Sequence, residues 1–303
     1  MHLSKERHYT KDMVNALKIT VLLAALTALL VYIGNLVGGI WGEIFALGFA
    51  VVINFSTYWW SDKLVLKMTR AIPLSEDQVP QLYAIVRKLA QRAKVPTPRL
   101  YRVPDPSPNA FATGRNPKHA VIAVNDGLLQ LLNIQEIEGV LAHEMGHVQH
   151  RDTLTSAIIA TVAGAIMVLA DIGRWVAIFG GGDEQNGRSH PLVLLLMTLV
   201  VPVAALIIQM AVSRSREYEA DKASAYLTGS PQYLVSALSK LERGVERIPG
   251  SMSPTAAHMC IVNPLRGRGR SLFNIFSTHP PVEKRIEKLK ELATHHSYGQ
   301  DLR

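Results

Sequence analysis

The chain is poor in charge. Asp, Glu, Lys and Arg make up only 18% of its 303 residues, against about a quarter in an ordinary soluble domain, so a freely soluble globule of this length would be short of solubilising side chains. Cysteine is nearly absent: Cys260 stands alone and cannot close an internal bridge, which excludes a disulfide-stapled secreted fold and permits a reducing compartment. Acidic residues are outnumbered, 24 against 32 basic, and a net +8 suits either nucleic acid or the anionic face of a membrane. A hydrophobic content of 48% excludes a disordered chain or a rod.

The position of the apolar residues decides between those partners. No charge occurs between Lys18 and Glu43, and Ile19 to Val37 is long enough to cross a hydrocarbon core of about 30 Å as a helix. A second uncharged run, Ile44 to Ser61, ends in Tyr58-Trp59-Trp60, residues suited to the headgroup level. The two runs predict a helical hairpin turning at Gly38-Gly39. The long polar leader and the second span argue against a cleaved signal peptide. Two further runs, Thr153 to Ala170 and Ser189 to Ser213, flank a loop with Gly180-Gly181-Gly182-Asp183-Glu184. They read as a second hairpin, with buried core helices as the alternative, since the later run holds Pro191, Pro202 and Gln209. Lys and Arg flank the ends of the spans and are sparse in the hairpin turns, so both termini and the Leu64 to His150 segment belong on the cytoplasmic side. Basic residues that flank spans leave no nucleic-acid role.

Between the runs lies the soluble part. Ser75 and Gln78 form a capping-box pattern before a helix with Leu82, Ile85, Val86 and Leu89 at helical spacing. Pro96 to Pro108 reads as a proline-rich linker. Asn109 to Thr113 and Ala120 to Val124 read as an antiparallel strand pair. Helices are expected over Ile134 to His150, Glu217 to Leu227, Gln232 to Leu241 and Val282 to Leu292. The expected architecture is a mainly α membrane protein with two transmembrane hairpins, about four membrane helices, a small α+β soluble domain and a short antiparallel sheet. Its segments are 1–63 (tail and first hairpin), 64–152 (first part of the soluble domain), 153–213 (second hairpin) and 214–303 (second part).

The chemistry lies in His143-Glu144-Met145-Gly146-His147, an H-E-x-x-H inside a predicted helix. A four-residue spacing puts both imidazoles on one face, where they can close on one zinc ion per chain, and Glu144 sits where it can act on water as general base. A catalytic zinc needs a third protein ligand and an open position. His150 lies about 10 Å along the helix from His143, too far to share the ion. The remaining donors are carboxylates beyond the fourth run: Glu217 and Asp221 share a helix face while Glu219 points away, so the sequence favours Glu217 over Glu219 only modestly. The partner carboxylate can hold a ligand imidazole by its second nitrogen.

Taken together, the N-terminal spans, H-E-M-G-H, Ser213 to Asp221 (S-R-x-R-E-Y-x-A-D) and Asn109-Ala110-Phe111-Ala112-Thr113-Gly114 resemble the HtpX family of bacterial membrane zinc metalloproteases. The chain is more distantly similar to the eukaryotic membrane CAAX prenyl-protein protease. The resemblance implies that the small α+β domain, cut in two at 153–213, is a zincin-like catalytic domain, with His143, His147 and Glu217 as zinc ligands, Glu144 as general base and Asp221 as the partner of a ligand. It also implies a transition-state-assisting histidine at His279, in Thr278-His279-Pro280. It further implies a multi-pass protein of the bacterial cytoplasmic membrane that cleaves unfolded or damaged proteins at the cytoplasmic face and works with other membrane quality-control proteins.

Asn109, Ala110, Phe111 and Ala112 suggest an edge strand that grips substrate through its backbone, although the sequence equally allows an interior strand. Two other readings compete with the peptidase. In an intramembrane-cleaving zinc protease the H-E-x-x-H would lie inside the bilayer, where Gln135, Glu136 and Glu138 would be costly. In a zinc-stabilised membrane scaffold without catalysis, His258 or Cys260 would complete a closed site.

Overall fold

The computed structural model describes residues 2–156, 158–159, 214–247, 261 and 280–295. Apart from residues 153–156 and 158–159, the second pair of apolar runs lies outside the described residues, as do His258, Cys260 and His279.

Helix α1 (His2–Met68) is helical for 67 residues, which would extend about 100 Å if straight. It is not straight. Gly39 takes φ +57, a conformation that suits glycine, and beyond it the chain returns on itself. A methyl group on Gly34 would collide with the Gly42 carbonyl, although eight residues along a straight helix separate such atoms by about 12 Å. Farther from the turn, Asn54 Nδ2 donates to Thr27 Oγ1 at 2.8 Å. The expected hairpin is therefore present, and small residues set its close crossing. Within it, Gly39–Ser56 is the one described window long and apolar enough to cross a membrane, and only 11% of it is buried. Leu23–Tyr32 is a shorter apolar stretch in the opposite arm.

The last turns of α1 lead into a four-stranded sheet of β1 (Ile72–Pro73), β2 (Arg99–Val103), β3 (Ala110–Thr113) and β4 (Val121–Asn125). Its order is β1-β2-β4-β3. β3 pairs antiparallel with β4 in the register Ala110↔Val124, Phe111↔Ala123, Ala112↔Ile122, Thr113↔Val121, as the sequence pattern predicts. β2, which runs parallel to β4, lies inside the stretch expected to be a linker. Prolines 96, 98, 104, 106 and 108 flank that strand without entering it, which is where proline is tolerated. The sheet is therefore mixed rather than a simple antiparallel pair. One face meets the end of α1 through Val65, Val103, Phe111 and Ala123.

The other face carries the helices. α2 (Pro80–Ala93) starts later than the Ser75/Gln78 pattern suggests. Gln78 Oε1 does accept the Ser75 N–H at 2.9 Å, but this closes a turn, and the helix begins at Pro80, whose fixed φ and missing N–H suit a first helical position. α3 (Asp126–Leu131) occupies what reads as a turn. α4 (Ile134–Gln149) opens on a capping box of Asn133 and Glu136. Beyond the second pair of apolar runs come α5 (Arg214–Thr228), α6 (Pro231–Arg247) and α7 (Val282–His295). One hydrophobic core joins α2, the sheet and α4 to α5, α6 and α7, from Leu82 and Ile122 through Val140 to Leu238 and Leu289.

α4 is pinned at both ends. Glu136, 3% exposed, accepts Ser236 Oγ at 2.6 Å and Lys240 Nζ at 2.8 Å from α6. Burial alone would raise its pKa, but these donors outweigh burial and lower it. At the other end, Gly146 lets α5 approach: a Cβ there would stand 2.9 Å from Ala223 Cβ and 3.1 Å from Ala220 Cα. That glycine lies between the two motif histidines, so the close crossing brings α5 against them.

Candidate active site

Three donor side chains converge where α4 crosses α5. His143 Nε2 lies 3.3 Å from His147 Nε2 and 3.7 Å from Glu217 Oε2, and His147 Nε2 lies 3.6 Å from Glu217 Oε1. Four ligands around a cation at 2.0–2.2 Å stand about 3.3–3.6 Å apart in a tetrahedron. The triangle matches one face of such a tetrahedron, so these residues fit a tetrahedral divalent ion. His143 and Glu217 are 1% and 5% exposed, and the imidazoles meet edge to face with centroids 4.8 Å apart. The three residues form a group that could hold a metal ion.

A second layer of carboxylates stands behind the imidazoles. Asp221 Oδ1 is 3.0 Å from His143 Nδ1, and Asp152 Oδ2 is 3.5 Å from His147 Nδ1. A carboxylate accepts a hydrogen bond from Nδ1–H and so leaves the Nε2 lone pair facing the cluster, the tautomer a metal requires. Burial pushes the His143 pKa down to about 4, although Asp221 opposes it. His147 goes the other way. Burial lowers its pKa, but Asp152, Glu217 and Glu144 outweigh that and push it up to about 9. Burial pulls Asp221 upward, yet the Arg285 guanidinium dominates and holds its carboxyl well below the usual range.

Glu144 lies beside the triangle on the same helix, 3% exposed. Burial, helped by the negative Glu217, raises its pKa to about 8, against the pull of His147 and of a hydrogen bond from the Ala112 backbone. That bond locates the strand. The Asn109 carbonyl accepts the Asn125 N–H at 2.9 Å, so by antiparallel alternation the backbone groups of Phe111 and Thr113 face β4 while those of Ala110 and Ala112 face outward. β3 is an edge strand among the described residues, and its outer side runs past Glu144. Its side chains are buried, and the Asn109 side chain accepts the Ile261 N–H at 3.1 Å.

Thus His143, Glu144, His147, Glu217, Asp221 and the Asn109–Ala112 strand come together at one place, while His279 lies outside the described residues. The carboxylate alternatives separate on geometry: Glu217 reaches the histidines, whereas Glu219 lines a surface cavity of about 310 Å³ with Tyr218 and Lys288. Two residues of the site escaped the sequence reading. Asp152 follows the helix end, where Arg151 takes φ +58 and turns the chain back, and nothing local marks it. Arg285 does carry a signal, since it lies three residues from Val282 and four from Leu289, on the buried face of α7.

Known proteins resemble this chain in sequence. The model of peptidase family M48 matches residues 76–293. A protease HtpX homologue of Desulforapulum autotrophicum is 52% identical over 278 residues, covering 91% of this chain and 89% of that protein. A protease HtpX homologue of Pyrococcus furiosus is 50% identical over 274 residues, covering 90% and 94%. A looser likeness links the chain to the crystal structure of S. mikatae Ste24p, with a TM-score of 0.46, 18% identity, and coverage of 93% of this chain and 66% of that larger one. A metallopeptidase accounts for the three-donor triangle with a carboxylate beside it, and the chain belongs to peptidase family M48, among the HtpX proteases.

Proposed function

We propose that the protein is a zinc endopeptidase anchored in the bacterial cytoplasmic membrane, which cuts unfolded or damaged polypeptide, including membrane proteins, at the cytoplasmic surface. The observation that carries this reading is the triangle of His143, His147 and Glu217, with Glu144 one residue along the same helix. Imidazole and carboxylate donors with no thiolate suit zinc. The ion would supply a low pKa for water and a polarised peptide carbonyl.

The remaining work belongs to this chain's own residues. Asp221 and Asp152 hold the Nδ1 protons and keep both Nε2 atoms free to bind. Glu144 takes a proton from water on its carboxylate and returns it to the leaving peptide nitrogen. Its pKa is raised to about 8 in the metal-free site, and a cation held by the triangle would lower it, leaving the carboxylate ionised to take that proton. His279 is assigned to the developing oxyanion. The outward backbone groups of Ala110 and the carbonyl of Ala112, whose N–H is held by Glu144, pair with an extended substrate, so affinity comes from main-chain hydrogen bonds and side-chain preference is broad.

Anchoring rests on the α1 hairpin, whose outer surface is apolar: Trp41, Phe45 and Phe55 are 78%, 77% and 57% exposed. The four-span topology, the segment boundaries of the two-part catalytic domain and the cytoplasmic placement of both termini follow from the apolar runs and their basic flanks. The ion pairs of Glu138 with Lys88 and of Glu136 with Lys240 at the start of α4 favour an aqueous site over one inside the bilayer. The test uses full-length protein in detergent, stripped by chelator and resupplied with single metals, with casein as an unfolded substrate. Zinc is expected to restore cleavage in the wild type and not in Glu144→Gln. Cleavage by the stripped protein, or full cleavage by the variant, would refute the proposal.

A further inference from the structure

Among the described residues Arg285 is the largest fully buried side chain, 1% exposed, and the reaction as written gives it no task. Its guanidinium holds Asp221 with two bonds, Nε to Oδ2 at 2.9 Å and Nη2 to Oδ1 at 2.6 Å. Nη1 donates to the Ile261 carbonyl at 2.7 Å. Nη2 also stands 3.4 Å from His143 Nδ1. A guanidinium only donates, and so does Nδ1 when the ring offers its lone pair at Nε2. The two donors are held side by side because both converge on Asp221 Oδ1.

That arrangement decides the tautomer of His143. With Asp221 displaced, the nearest partner of Nδ1 would be an Arg285 N–H, which demands a lone pair there and moves the ring proton to Nε2. Nε2 faces His147 and Glu217, and once protonated it cannot bind a cation. The bidentate grip on Asp221 prevents this. The other arm of the guanidinium leads to the edge strand. The Ile261 peptide gives its carbonyl to Arg285 and its N–H to Asn109 Oδ1, and Asn109 immediately precedes β3 and is fixed to β4 through Asn125. An unbroken line therefore runs Asn109, Ile261, Arg285, Asp221, His143.

We propose that Arg285 is a positioning residue that locks the metal-binding orientation of His143 through Asp221 and, through Ile261, ties the start of the substrate strand to the metal centre. This rests on the zinc peptidase reading above. Loss of the guanidinium loosens both ends at once, whereas loss of the Asn109 amide loosens only the strand.

The experiment measures zinc affinity by competition with a chromophoric chelator, the visible spectrum of the cobalt-substituted protein, and KM and kcat on casein, all with full-length protein in detergent. Arg285→Met is expected to lose about 10–100-fold in zinc affinity, to change the cobalt spectrum and to raise KM. Arg285→Lys, which keeps the charge, regains part of the affinity. Asn109→Ala raises KM with zinc affinity and cobalt spectrum as in the wild type. The double variant Asp221→Asn with Arg285→Met removes both buried charges and guards against a folding artefact. Measured beside the single variant Asp221→Asn, it is expected to bind zinc no more weakly than that single variant, since Arg285 acts on His143 through Asp221.

Wild-type zinc affinity and cobalt spectrum in Arg285→Met would overturn the inference alone, as would a double variant that binds zinc more weakly than Asp221→Asn. An unchanged KM in Asn109→Ala would overturn its strand arm. A wild-type protein that takes up no zinc would overturn the peptidase reading and this inference with it.

Discussion

In the α1 hairpin, Trp41 and Phe45 are 78% and 77% exposed while Ala46 and Ala50 are buried. Around the crossing of α4 and α5 the pattern is reversed: His143, Glu144, Glu217, Asp221 and Arg285 are each no more than 5% exposed. The hairpin turns its large apolar groups outward, packs on Gly34, Gly42 and Ala46, and has side-chain bridges between its arms from Asn54 to Thr27 and from Asn35 to Glu43. The site withdraws charge from solvent, and its carboxylates and cations hold one another through short bonds. In both regions these polar side chains are held by polar partners, but the regions face different solvents. Lipid makes an apolar exterior inexpensive, and a cation-binding cluster makes a charged interior useful.

Perturbations that touch one region and spare the other test this contrast. The largest effect is expected at Glu144. Its replacement by Gln should lower kcat/KM on casein by about 10²–10⁴-fold, the range general acid–base catalysis supplies, with zinc content unchanged by elemental analysis. Zinc loss in that variant would mean the carboxylate holds the site together rather than moving protons.

Next is pH. His147 must be neutral to bind a cation, and in the metal-free protein its pKa is raised to about 9. Below that value binding displaces its proton, so zinc affinity should rise as pH climbs from 7 to 9, by about 10²-fold, and then level off. Calorimetry in buffers of different ionisation enthalpy should show a proton released at pH 7. Affinity independent of pH over that range would contradict the assignment.

A smaller effect is expected at Gly146. Replacement by Ala places a methyl 2.9 Å from Ala223 Cβ and should cost about 1–3 kcal/mol, read as a lowered melting temperature together with weaker zinc binding, because the crossing positions Glu217. The smallest effect is expected at Asn54. Removal of its amide should cost about 0.6 kcal/mol, the usual worth of a hydrogen bond between membrane helices, and should leave zinc affinity unchanged. A change in zinc affinity there would show that hairpin and site are one energetic unit.

Much of this contrast is legible in the sequence. The hairpin follows from two uncharged runs around Gly38-Gly39, and His143, Glu144 and His147 follow from periodicity on one helix. The β3–β4 pair shows as two short apolar pieces around Gly114-Arg115-Asn116-Pro117. What escapes depends on contacts between distant segments. β2 was hidden because its flanking prolines look like a linker, although a five-residue strand can lie between them. The choice of Glu217 over Glu219 needed the crossing geometry that Gly146 permits, and no local pattern states a crossing. Asp152 approaches His147 through a turn in the left-handed region at Arg151, which favours no particular partner. Arg285 could have been found as a cation on an apolar helical face, but an Arg in a Lys- and Glu-rich helix reads as solvated until its partner Asp221, 64 residues earlier, is seen behind it.

The central claim, that His143, His147 and Glu217 together hold one zinc ion, is tested most directly by X-ray absorption at the zinc edge on the purified full-length protein. The account predicts one zinc per chain with only nitrogen and oxygen neighbours at about 2.0–2.2 Å, two of them imidazoles. A sulfur neighbour at about 2.3 Å would place the ion at Cys260 and contradict it.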